Sequence, residues 1–138
     1  MEVRIRYGST DCTGRIFFPK YLEFFDDATL EFFRERDIGF DYLGRVLLNN
    51  KRIEEILVVG ECQCRFLSET FFDDLLEVKP EIKEVTEKKI IFCVTCYNRT
   101  QGKICAEGNI TFICVNPQIK KSVRIPHEII KRLNMPNT

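Results

Sequence analysis

The sequence predicts an α+β fold in which a five-stranded antiparallel sheet wraps around one long helix. Three observations predict it. Residues 19–37, PKYLEFFDDATLEFFRERD, form the one long segment of helical period. From Ile56 onward the pattern changes to long strand-like runs joined by short polar segments. A strand-like opening precedes the helix, so strands are segregated from a single main helix, as in an α+β chain. The 138 residues fit one domain, 1–138. Such a domain buries roughly two thirds of its unfolded surface.

The elements follow in order. Val3, Ile5 and Tyr7 alternate with Glu2, Arg4 and Arg6, which predicts a first strand with one buried face. A polar loop, Tyr7 to Gly14, leads towards Pro19, a residue suited to the first helical turn. At about 100° per residue, Tyr21, Leu22, Phe25, Ala28, Thr29, Phe32 and Phe33 share one face. Lys20, Glu23, Asp27, Glu31, Arg34 and Glu35 share the other, with Phe24 and Asp26 on the borders. That apolar stripe must lie against a core. Gly39 is expected just past the helix end. Residues 41–48 are expected as a short helical turn and 49–55 as a polar loop. Four strands follow, at 56–66, 75–85, 89–98 and 103–115. Residues 71–74 form a turn, and 99–102 are short and polar enough for a hairpin. Pro80 within a strand implies an edge or a bulge. A basic connector at Lys120-Lys121-Ser122 then leads to a terminal helix from Pro126 to Leu133.

Composition narrows the classes. Twenty-one basic and 21 acidic residues leave no net charge to favour nucleic acid or a membrane surface. No run approaches the ~18 apolar residues of a membrane span. The opening MEVRIRYG is no signal-peptide pattern, so a cytoplasmic protein is expected. Seven cysteines are an odd number for a disulfide framework. Cys62-x-Cys64 and Cys93-x-x-Cys96 invite a zinc reading. They lie in strand-like runs, however, where residues three apart face opposite ways. Buried thiols are the expectation, with no metal and no cofactor.

One place gathers chemistry. The Tyr7–Gly14 loop brings Asp11 beside a helix N-terminus, where unsatisfied N–H groups and a partial positive charge collect. The bland alternative is that Asp11 only satisfies its own turn. Cys12 adjoins it, but the one histidine, His127, sits in the terminal helix, so a Cys–His pair is not expected. Asp26 is expected as a structural or supporting acid.

The stretch RIRYGSTDCTGRIFFPKYLEFFDDA resembles the opening of the 4-hydroxybenzoyl-CoA thioesterase family, which has the hot-dog fold. The resemblance rests on Tyr7, Asp11, Gly14, Ile16, Phe17, Phe18, Pro19 and Tyr21. ECQCRFLSETFFDDLLEVKPEI and the closing VRIPHEIIKRL resemble later parts of the same family. The resemblance implies an acyl-CoA thioesterase that releases free acid and CoA. It implies Asp11 as the catalytic carboxylate, acting as nucleophile or general base. It implies an oxyanion site at the helix N-terminus, and there the Phe18 backbone N–H is the candidate because Pro19 has none. Gly14 would let the backbone approach substrate. Tyr7 and Phe17 are expected to line the substrate site, and Lys88 and Lys89 to meet CoA phosphates unless they are simply solvated. Relatives form homodimers or homotetramers with the site between protomers. Some relatives carry a histidine just before the helix; Phe17-Phe18 stand there instead, so no such imidazole acts here. The alternative from another class is a non-catalytic hot-dog protein that binds acyl-CoA or acyl carrier protein. A hot-dog dehydratase would want a histidine, and none is suitably placed.

Overall fold

The computed structural model describes residues 1–135; residues 136–138 of the expected 1–138 domain lie outside them. Strand β1 (Glu2–Arg4) leads through a 3-10 turn at Tyr7–Ser9 into helix α1 (Lys20–Arg34). A small three-stranded sheet follows: β2 (Gly39–Phe40), β3 (Val46–Leu48) and β4 (Lys51–Arg52). The main sheet is built by β5 (Ile56–Phe66), β6 (Leu75–Val85), β7 (Lys89–Asn98) and β8 (Lys103–Asn116). Strand β9 (Lys121–Ser122) and helix α2 (His127–Leu133) follow. Neighbours run β1-β6-β7-β8-β5, all antiparallel, with β9 beside the end of β8.

The five-strand hot-dog expectation therefore holds, and three strand ranges coincide with it residue for residue. In β7, Ile90, Phe92, Val94 and Cys96 are buried while Lys89, Cys93 and Tyr97 are exposed. That alternation sets which face receives α1. Phe33 of α1 is fully buried, its ring 5.5 Å from Phe92, 5.3 Å from Phe112 and 5.8 Å from Phe40, each edge-on. Burying each such ring contributes about 1.5–3 kcal/mol. The buried stripe of α1 is Tyr21, Phe24, Phe25, Ala28, Thr29 and Phe33. Phe24 thus moves from border to core, whereas Leu22 is 40% exposed.

Several expectations are corrected. Ile5 is buried, but the first strand ends at Arg4, and Tyr7 turns outward in the 3-10 turn, 80% exposed. The helix ends on Asp37 rather than Gly39. Asp37 takes φ 57°, its N–H donates to Arg34 O, and the Ile38 N–H reaches back to Phe33 O. This is a Schellman end closed by the buried Phe33 and Ile38. Residues 41–48 are no helical turn. Asp41 and Gly44 close a hairpin tip, and Asn49 and Asn50, φ 54° and 62°, make the two-residue turn from β3 to β4. Cys12, Cys62 and Cys93 are exposed, Cys64 is half-buried, and only Cys96, Cys105 and Cys114 are buried.

The two sheet edges differ. Of the two alternatives at Pro80, the edge holds there. Val78 donates its N–H to Met1 O, and Pro80, two residues on, points the same way where β1 has stopped. Its missing N–H therefore costs no ladder bond and blunts that edge. The ladder also shifts register between Ile82 and Glu84. At the other edge β5 has no further strand beside it among the described residues, and Val58 and Val59 are 37% and 49% exposed.

Candidate active site

The loop before α1 is a tight, self-bonded hairpin. Asp11 donates its N–H to Arg15 O at 2.7 Å, Phe17 donates to Ser9 O at 2.7 Å, and Thr10 bridges Ile16. Gly14 takes φ +78°, with nothing within 4 Å of where a Cβ would stand. The left-handed backbone, not crowding, requires the glycine. The Ile16 N–H donates to Thr70 O and the Phe72 N–H to Gly14 O, so the loop is pinned to the approach to β6.

Asp11 lies in the open on this loop. Its Oδ1 accepts both the Thr13 hydroxyl at 2.6 Å and the Thr13 N–H at 2.7 Å. Those two donors, the hydroxyl first, hold the carboxyl below the usual aspartate range, with Arg15 adding to the effect. Asp11 therefore does satisfy its own turn. Among the described residues its Oδ2 has no hydrogen-bond partner, so one ionised oxygen stays available.

The helix start is unusually economical with its N–H groups. Lys20 donates to Phe17 O, Tyr21 to Phe18 O, Leu22 and Glu23 to Pro19 O, while Ile16 and Phe17 are bonded as above. Pro19 has no N–H, and no side chain caps the helix. Within 16–23 the Phe18 N–H alone has no acceptor among the described residues. An unbonded N–H at the positive end of a helix is a ready anion donor.

Beside it lies a cleft of about 330 Å³, walled by Ile16, Phe18, Tyr21, Phe66, Leu67 and Thr70. Phe66 packs 5.8 Å from Phe18 and 5.7 Å from Tyr21. Tyr21 is buried and donates its hydroxyl to Thr70 Oγ1 at 2.8 Å; burial holds this phenol protonated well above its ordinary range. A larger groove of about 1020 Å³ lies between the second half of α1 and β6, away from Asp11.

Of the other expected residues, Tyr7 stacks on Phe72 at 4.5 Å beside the loop, and Phe17 is 48% exposed next to Phe18. Lys88 and Lys89 are not brought to Asp11. They lie where the turn from β6 enters β7, beyond the far end of β6, whose 11 residues span about 35 Å. Asp26 is half-buried; burial raises its carboxyl, and Asp27 adds to the shift. Burial, aided by Asp26, raises Cys62, and burial pushes Cys64 up to about 11. Neither is a thiolate at neutral pH. His127 begins α2, which docks on Asp37 at the opposite end of α1 from Cys12, so no Cys–His pair forms. No metal-holding cluster occurs among the described residues, and none of their helices is long and apolar enough to cross a membrane. Sequence reasoning missed Thr13, although a threonine two residues after an aspartate is an Asx-turn signal. It also missed Phe66, whose contacts with Phe18 and Tyr21 are non-local.

An antiparallel sheet curled around one long helix is the hot-dog architecture. The chain belongs to the thioesterase-like superfamily, whose family model matches residues 5–133. It is 27% identical over 127 residues to the acyl-CoA thioesterase YbgC of Haemophilus influenzae, covering 92% of this chain and 88% of that one. Among solved structures it resembles Slr0204, a 1,4-dihydroxy-2-naphthoyl-CoA thioesterase from Synechocystis. The TM-score is 0.83 at 13% identity, over 99% and 97% of the two chains. It equally resembles SAV2348 from Staphylococcus aureus, solved in complex with CoA, with TM-score 0.83 at 15% identity over 100% and 85%. Acyl-CoA thioester hydrolysis is the activity supported at the level of the family.

Proposed function

We propose that this protein hydrolyses an acyl-CoA thioester to the free acid and CoA, with Asp11 and the Phe18 N–H as its working groups. One observation carries the assignment: among the described residues the Phe18 N–H is the one N–H of 16–23 left unbonded, seven residues after an ionised aspartate. The thioester oxygen accepts from Phe18 as negative charge develops on it, and one such donor is worth about 10²–10³ in rate. Asp11 either attacks the carbonyl carbon, expelling CoA thiolate and leaving an anhydride for water to open, or takes a proton from an attacking water. Gly14 gives the loop the turn that carries Asp11. Tyr7, stacked on Phe72, and Phe17, packed on Phe18, are the aromatic candidates for substrate contact on this loop.

The working unit is a homo-oligomer joined through the bare β5 edge. Antiparallel pairing about a two-fold sets the start of one β5 beside the end of the other. Lys88 and Lys89, far from Asp11 in their own chain, then meet a CoA held at the partner's site. The 4-hydroxybenzoyl-CoA branch is one candidate for the acyl class, alongside aliphatic acyl groups.

The test is CoA release, followed by chromatography, from short, medium, long and aromatic acyl-CoAs. Asp11→Asn, correctly folded, is expected to lose at least about a hundredfold. Wild-type levels in that variant would move the role to another acid, Asp26 first. Tight acyl-CoA binding without turnover would make this a binding protein.

A further inference from the structure

Tyr42 and Leu43 are held out into solvent by a turn built to hold them. Tyr42 is 92% and Leu43 61% exposed. Beneath them Asp41 Oδ1 accepts the N–H groups of Leu43 and Arg45, both at 2.9 Å, and Oδ2 accepts Arg45 Nε at 2.8 Å. The Asp41 N–H donates to Arg45 O, the Gly44 N–H to Asp41 O, and Gly44 takes φ +77°. A tyrosine on a rigid base suits an interface anchor, because little freedom is lost when it docks.

The tip stands at one end of β5. The Ile53 N–H donates to Val46 O at 3.1 Å, so the chain passes beside the tip and enters β5 at Ile56. At the other end of β5 stands the second bare apolar group, Phe66 (55% exposed), Leu67 (46%) and Phe18 (59%), which rims the candidate site. The strand between them is the open edge, with no proline and no covering strand among the described residues, whereas Pro80 and β1 blunt the opposite edge. A long bare edge carrying Val58 and Val59 invites strand addition. Two-fold antiparallel pairing of two such edges delivers each tip to the partner's aromatic group, and each exposed patch covers the other.

We propose that the Tyr42–Leu43 tip of one protomer completes the acyl site of its partner, packing against Phe66 and Phe18 beside the thioester. The proposal rests on the thioesterase reading above. Each site then takes Asp11 and the Phe18 N–H from one chain and its outer apolar wall from the other.

Hetero-oligomers carrying two different tags decide the matter. One chain carries Asp11→Asn and the other Tyr42→Ala with Leu43→Ala. Each parent homo-oligomer is expected to lose at least about tenfold in kcat/KM. The hetero-oligomer is expected to recover about half of wild-type activity, because one of its sites then holds both an intact Asp11 and an intact tip. No recovery above the parents places the tip in its own chain's site and overturns the proposal, as does a tip variant with wild-type kcat/KM. Hydroxyl-radical labelling of Tyr42 gives a readout independent of turnover. Labelling is expected to be at least severalfold lower in the wild-type oligomer than in Val59→Asp, which breaks the edge. Equal labelling overturns the proposal even for an active enzyme. An inert wild type with a protected Tyr42 sinks the thioesterase reading but not the docking of the tip.

Discussion

Thr13 grips Asp11 twice through one oxygen, hydroxyl and N–H both reaching Oδ1, and Oδ2 has no hydrogen-bond partner among the described residues. The grip stabilises the ionised form, so the carboxyl titrates below the ordinary aspartate value. If ionised Asp11 is the working form, kcat/KM is retained down to unusually acid pH and falls only through that lowered pKa. Thr13→Val removes the hydroxyl, the larger cause, and keeps the N–H. The acid limb of the pH profile is expected to move upward, towards the ordinary range, while the rate at neutral pH stays within a few-fold. Profiles of the two proteins check this, and a limb that does not move excludes Asp11 as the titrating group.

The Phe18 N–H can be deleted without deleting the loop. Phe18→Pro removes the donor, and the missing hydrogen breaks no bond among the described residues. A fall of about 10²–10³ in kcat is expected, with little change in KM. Phe18→Ala keeps the N–H and removes the ring that walls the cleft, so its loss should fall mainly on KM. Steady-state kinetics on both variants, with circular dichroism as a folding control, separate backbone from side chain. Equal kcat losses would assign the effect to the ring.

What the sequence made legible follows from range. The strands at 56–66, 75–85 and 89–98 are long enough for composition and alternation to mark them. The hairpin at 39–52 is not, since strands of two or three residues carry no period. Its turns were visible all the same: Asn49-Asn50 tolerates left-handed φ, and Asp41 three residues before Gly44 closes the tip. Asp37 ends the helix because a short polar residue also tolerates left-handed φ, so the turn needs no glycine. At the site, Asp11, Gly14 and Phe18 lie close enough in sequence for spacing to expose them. Phe66 and Thr70 reach the same cleft from some fifty positions away, as the Tyr21–Thr70 bond records. Lys88 and Lys89 lie far from Asp11 in the same chain, a separation that sequence order hides because it does not say which end of a long strand a turn occupies.

Asp74 ties three segments behind the site. Its Oδ2 accepts the Phe71 N–H at 3.0 Å, Asn98 Nδ2 at 2.9 Å and Gln101 Nε2 at 2.8 Å, and both Asp74 and Asn98 are buried. Asp74→Ala strands the buried Asn98 amide without that acceptor. A loss of about 2–4 kcal/mol is expected from the unmade bonds, or roughly 10 °C in Tm for a domain of this size. Asp74→Asn, which keeps the shape, should lose less. Thermal melts of both check the ranking; a shift below about 2 °C for the alanine variant would mean that water replaces the carboxylate.

Pro80 guards the edge that β5 lacks a guard for. Val78 spends its outward N–H on Met1 O, and the residue two places on would present the next outward N–H to solvent if it had one. Pro80→Val supplies that donor in a strand-favouring residue and keeps the apolar contact with the inner face. Stability is expected to change by less than about 1 kcal/mol, since no ladder bond to β7 is gained or lost. Self-association is expected to rise, because β6 then offers an unblunted edge with a free outward N–H. Sedimentation velocity over a concentration series checks this, with larger species appearing in Pro80→Val at concentrations where the wild type holds one size. Matching distributions would mean that β1 and the end of α1 protect this edge without the proline.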